Sequence, residues 1–169
     1  VVRVVGAEAS ERLPEAVEET ALQWVSYEDH ERERLRDPLR SALALAALWG
    51  DDRVNDEDAA RALRSVSQRL PAEEAMRTMQ PEAFGDEPAW LLLALSPIDA
   101  ARRPALREDL ARTRRRLRQI ASGHAASATD APLVWARAAA ALALDGQDRD
   151  RAVEMARRAE RHVIRVGDM

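Results

Sequence analysis

Cysteine and lysine are both absent from this 169-residue chain, so all 26 of its basic residues are arginine. Without a thiol there is no disulfide, no thiolate metal site and no cysteine nucleophile. Without a side-chain amine, Schiff-base chemistry and a phosphate-loop lysine are excluded as well. Aromatic residues are scarce, with one Phe, one Tyr and four Trp, a poor supply for an aromatic cofactor pocket. No apolar run approaches the roughly 18 residues that a bilayer-spanning helix needs, and no signal-peptide pattern marks the N-terminus. The expectation is a soluble, cytoplasmic chain with no membrane partner and no cofactor. The Arg-only, Ala-rich composition is read as coding bias.

What is present is apolar residues at 46% and charged residues at 33%, the balance of a globular protein. Residues 1–169 suit a single all-helical domain, long enough to bury a core without metals or disulfides. The chain opens on Val1-Val2-Arg3-Val4-Val5 rather than Met and closes on Val166-Gly167-Asp168-Met169. The expectation drawn from these ends is a piece of a longer, bacterial-type polypeptide.

Three segments share one design. Asp37-Pro38-Leu39, Asp86-Glu87-Pro88 and Asp130-Ala131-Pro132 each open a run without charge: Ser41 to Trp49, Ala89 to Leu95, and Ala138 to Leu144. An arginine-rich amphipathic segment follows each. A helix apolar all round must be covered on every side, so the pattern predicts a second layer of helices around Leu43, Leu93 and Leu142. Eight or nine helices in antiparallel hairpins, stacked as a short solenoid or toroid-like bundle, are expected.

Local signals place the elements. A first helix is predicted from Pro14 to about Tyr27 with an apolar face through Val17, Ala21, Trp24 and Val25. Asp37 caps a second that Gly50 stops, and Asn55 caps a third whose stripe is Ala59, Leu63, Val66 and Leu70. A shorter helix is expected from Pro71 to Met79, and a turn of helix from Ser96-Pro97. The spacing Leu106, Leu110, Thr113, Leu117, Ile120 predicts a helix from Pro104 that Gly123 ends, with Ser122 to Thr129 a loop. Asp130 caps the next, and Gly146-Gln147-Asp148 turns into a final helix facing inward through Ala152, Met155, Ala156, Ala159, Val163 and Val166. Trp24, Trp49, Trp90 and Trp135 are expected as buried anchors.

In the final unit, Trp135, Ala139, Leu142 and Gly146, followed by Ala152 and Ala159, resemble the aromatic, small, aliphatic and turn positions of a tetratricopeptide repeat. That resemblance covers about one fifth of the chain and implies a protein-binding helical hairpin. The earlier openings are spaced more widely than the family's period of about 34 residues. Small-residue inner helices beside amphipathic outer ones also resemble the α/α toroids of terpene cyclases and of macroglobulin-type thioester domains. The cyclase acid motif is not present, and the thioester motif requires the missing cysteine.

Candidate chemistry is thin. Asp51, Asp52 and Asp56 imitate magnesium or calcium spacing, but there is no central Gly and Ala62 stands where a bidentate Glu is needed. An N-cap with an acidic first turn explains them better. His30, His124 and His162 lack metal-pair spacing, and His124 falls in the predicted loop. Arg112, Arg114, Arg115, Arg116 and Arg118, with Arg102, Arg103 and Arg107 ahead, make one basic helix. Net charge −4 and the absence of interleaved aromatics disfavour nucleic acid. A solvated outer face balanced by Glu108 and by Glu11, Glu15, Glu18 and Glu19 is the plainer explanation.

These residues predict a non-catalytic interaction or structural module. It would bind through an inter-hairpin groove or its Arg-rich face, with Arg107, Arg114, Arg115 and Arg118 as partner-binding residues, and its partners a protein or neighbouring domains of the same polypeptide, with no metal. The alternative is the helical half or accessory domain of a toroid-type enzyme whose catalytic residues lie outside this segment.

Overall fold

The computed structural model of the chain describes residues 15–26, 37–71, 86–128 and 131–167. Every regular element among them is helical: α1 (Glu15–Ser26), α2 (Pro38–Leu48), α3 (Asp56–Gln68), α4 (Glu87–Leu95), α5 (Arg107–Ser127), α6 (Pro132–Asp145) and α7 (Arg149–Gly167). Two 3-10 turns, Ala100–Arg102 and Pro104–Leu106, precede α5. The all-α class is as expected, but seven α-helices are found among the described residues, not eight or nine. The helix expected over residues 71–79 lies outside them, as do His30 and the Trp24 side chain. After Ser96, Pro97 and Pro104 withhold the backbone donors that a longer helix would use, and only the 3-10 turns form.

The chain divides into two compact units, residues 1–70 with 97–114 and residues 71–96 with 115–169. In the first, side-chain caps start the helices. Asp37 accepts the Arg40 N–H at 3.1 Å ahead of α2, and Asn55 accepts the Asp58 N–H at 2.8 Å ahead of α3. α1 packs on both α2 and α3, which pack on each other. Ala42, Leu45, Leu48 and Trp49 of the α2 segment meet a core to which α3 contributes Ala59, Leu63 and Val66 and the turn after it Leu70, so all four residues of the predicted stripe are buried. Full burial of each leucine is worth about 1.5–3 kcal/mol. Between α2 and α3, Ser65 Oγ donates to Ser41 Oγ at 2.9 Å in a buried polar pair.

In the second unit, Gly146 ends α6 at φ +72°, a left-handed conformation, and its N–H returns to Leu142 O at 3.1 Å. The chain then reverses into α7, which packs along α6, while α4 packs on α6 as well. Trp135, Ala138, Ala139 and Met155 close around Ala125 of α5, and the Trp135 indole donates to Ala125 O at 2.9 Å. This contact explains why α5 runs through Gly123 to Ser127 instead of stopping. A mid-helix glycine costs only about 1 kcal/mol, which packing at Ala125 overcomes. The predicted loop over residues 122–127 is therefore helix, and His124 lies on it.

Other expectations fail where azimuth matters. Leu142 is buried, but Leu43 and Leu93 are half-buried, and α6 bares a face along Leu133, Ala136, Ala140, Ala143 and Leu144, with Leu133 66% and Leu144 50% exposed. Trp49 and Trp135 are buried anchors, whereas Trp90 is 43% exposed. Ala156 faces solvent. The residue before α6 is Ala131, which has no capping side chain, and Asp130 lies outside the described residues. Asp86 precedes α4 without a side-chain cap because Arg137 and His124 engage its carboxylate.

Candidate functional site

Most of the acidic stretch from Asp51 to Asp58 is engaged in ion pairs. Arg53 grips Asp51 through Nε at 3.1 and 3.2 Å and Nη2 at 2.7 Å. These side-chain hydrogen bonds, with the Arg53 backbone N–H and the positive charge of Arg53 and Arg103, hold the Asp51 carboxyl below its ordinary value against the opposing effect of burial. Asp56 pairs with Arg103 at 2.8 Å, and Asp58 with Arg61 at 3.1 Å. Of the three acids with metal-like spacing, Asp51 and Asp56 each answer a nearby guanidinium, while Asp52 is exposed. Among the described residues no cluster of three His, Asp or Glu is arranged to hold a metal.

Arg103 is the buried charge of this unit. Its Nε donates to Trp49 O at 2.8 Å and its Nη2 to Asp51 O at 3.0 Å and Val54 O at 2.6 Å. The guanidinium also lies over the Trp49 ring. One planar fork thereby holds the whole turn between α2 and α3.

The basic helix α5 sorts its arginines. In the first unit Arg114 donates to Ile98 O at 2.6 Å, and Arg112 pairs with Glu108 at 3.0 Å, the predicted one-turn pair. In the second, Arg116 donates to Pro71 O, and Arg118 reaches Asp145 at 2.6 Å. The Asp145 side chain is only 3% exposed, so Arg118 neutralises an otherwise buried charge. Of the four predicted partner-binding residues, Arg114 and Arg118 are thus committed to the fold, while Arg107 and Arg115 are exposed and have no ion-pair partner among the described residues.

Near α4, Asp86 receives Arg137, whose guanidinium stacks over Trp90 at 5.4 Å, and His124 Nε2 stands 3.5 Å from the same carboxylate. His162 meets Trp135 edge-on at 6.1 Å.

The last helix holds a cationic surface that the apolar pattern alone did not reveal. Arg149, Asp150, Val153, Glu154, Arg157 and Arg161 line a groove of about 460 Å³. The signal available in the sequence was the four-residue step of Arg149, Val153, Arg157 and Arg161, opposite the buried Ala152 and Met155. No protein-family model matches the chain, and no curated protein or solved structure matches it.

Proposed function

We propose that this chain is a non-catalytic helical interaction module that binds a protein partner through guanidinium groups on α5. The supporting observation is the sorting of its arginines. Arg114, Arg116 and Arg118 are spent on Ile98 O, Pro71 O and Asp145, while Arg107 and Arg115 present exposed forks suited to a partner's carboxylates. The tetratricopeptide-like character of the final hairpin belongs to the same proposal. It is supported by the buried Trp135, Ala139 and Leu142 and by the left-handed Gly146 between α6 and α7. Hairpins of that kind recognise proteins on the surfaces they expose.

The test begins with interaction mapping on the purified chain and proceeds to titration of each purified partner against wild type and an R107E/R115E variant. About tenfold weaker binding by the variant, with affinity that falls as salt rises, is expected. Equal affinity overturns the α5 assignment. Turnover of a substrate by the wild-type chain alone overturns the non-catalytic one.

A further inference from the structure

The outer face of α7 carries cations that the α5 arginines do not involve. Arg149, Val153, Arg157 and Arg161 follow one another at four-residue steps, a single slowly turning row about 18 Å long on an α-helix. With Asp150 and Glu154 beside them they form the groove of about 460 Å³. Val153, in the row between Arg149 and Arg157, is 41% exposed.

Charge in this groove is unbalanced. Glu154 is already shared by Arg151 and by Arg158, the latter at 3.0 Å. Asp150 remains as the lining carboxylate facing three exposed guanidiniums, none of which has an ion-pair partner among the described residues. Arg157 and Arg161 stand one turn apart with like charge, an arrangement that weakens a helix until an anion bridges the two.

We propose that this groove binds an acidic peptide segment of a partner protein, one that sets an aliphatic side chain on Val153 between two carboxylates. Arg149 and Arg157 are about 12 Å apart along the helix axis, a distance that an extended peptide covers in about four residues. Side chains at the first, third and fifth positions of such a peptide share one face. The recognised pattern is therefore acid, any residue, aliphatic, any residue, acid, with a further acid able to reach Arg161. Guanidinium forks take those carboxylates two hydrogen bonds at a time. A nucleic acid fits less well, because no aromatic lines the groove to stack a base.

This inference rests on the interaction-module reading but uses no residue of α5. The experiment is fluorescence anisotropy of the purified chain with a labelled peptide of pattern Glu-x-Leu-x-Glu, repeated with Glu→Gln and Leu→Ser peptides and with an oligonucleotide of equal charge. Saturable binding by wild type is expected, about tenfold weaker for R157E/R161E and for the Glu→Gln peptide, weaker again at high salt, and unchanged for R115E. V153S and the Leu→Ser peptide are each expected to lower affinity several-fold. R157Q/R161Q, with its helix content checked by circular dichroism, separates loss of the site from loss of the fold. Absence of saturable binding by wild type, equal binding by the folded R157Q/R161Q variant, or tighter binding of the oligonucleotide overturns the proposal. Failure of the α5 reading would show in the R107E/R115E titrations and leave these results unaltered.

Discussion

The guanidinium of Arg103 lies over the Trp49 indole, 5.8 Å from its centroid, while its Nε donates to the Trp49 carbonyl at 2.8 Å. A single side chain therefore grips both the ring and the backbone of the residue that ends α2. Its other donors take Asp51 O, Val54 O and the Asp56 carboxylate. Lysine has the charge but not the five-donor plane that this turn requires.

Replacing Arg103 with Ala is expected to destabilise the first unit by about 3 kcal/mol, since carbonyls around a buried site lose their donors. Arg103→Lys should recover less than half of that loss. Asp56→Asn should cost under about 1 kcal/mol, because the Asp56 side chain is 55% exposed and its pairing is screened. Urea unfolding measures all three. A lysine variant as stable as wild type would show that the fork geometry is dispensable.

Acid should weaken the turn between α2 and α3 through Asp51. Its carboxyl is held below the ordinary aspartate value by hydrogen bonds from Arg53, so the folded state binds a proton less readily than the unfolded one. The contribution is fully present above about pH 3.9, the value of a free aspartate, and disappears as pH falls through the lower folded value. Asp51→Asn is expected to lower Tm at neutral pH and to flatten its decline below about pH 3.9. An unchanged acid limb in a Tm-against-pH series would refute this linkage.

At Gly146 the cost of a side chain is purely conformational. A Cβ placed there meets no atom within 4 Å, yet φ is +72°. Gly146→Ala is expected to destabilise by about 1–2 kcal/mol, the ordinary left-handed penalty, and Gly146→Asn by less, since Asn tolerates that conformation. Thermal melts showing Ala and Asn equivalent would argue that the turn relaxes to another conformation.

Two tryptophans of the second unit should behave oppositely. Trp135→Ala empties the cluster around Ala125 and Met155 and is expected to cost about 3–5 kcal/mol. Trp135→Phe should cost about 1–2 kcal/mol, because Ala125 O loses the indole donor. Trp90→Ala, at a residue 43% exposed, should cost far less than Trp135→Ala. Similar losses of denaturation midpoint at the two positions would contradict the difference in burial.

Much of the fold was legible because helix signals are local. Ala59, Leu63, Val66 and Leu70 recur at three- and four-residue steps and all turn inward; Asp37 and Asn55 cap the helices they precede. Gly123 misled for the complementary reason. Its helix-stopping tendency is a local preference of about 1 kcal/mol, and the indole of Trp135 docking on Ala125 outweighs it. The candidate site was less legible. Arg115 and Arg118 have identical side chains three residues apart, and only the position of Asp145, 27 residues beyond Arg118, makes one of them a structural ion pair.

The order of residues alone determined helical period, the caps at Asp37 and Asn55 and the glycine turn at residue 146, since each depends on atoms within about one turn of chain. Tertiary structure decided which side of a uniformly apolar helix is covered, burying Leu142 and baring Leu133 on the same α6. It also decided which arginines are spent on carbonyls and carboxylates and which stay in water. A helix without a polar face carries no mark of its own orientation, and a guanidinium's partner is whatever carboxylate or carbonyl the folded chain brings within about 3 Å.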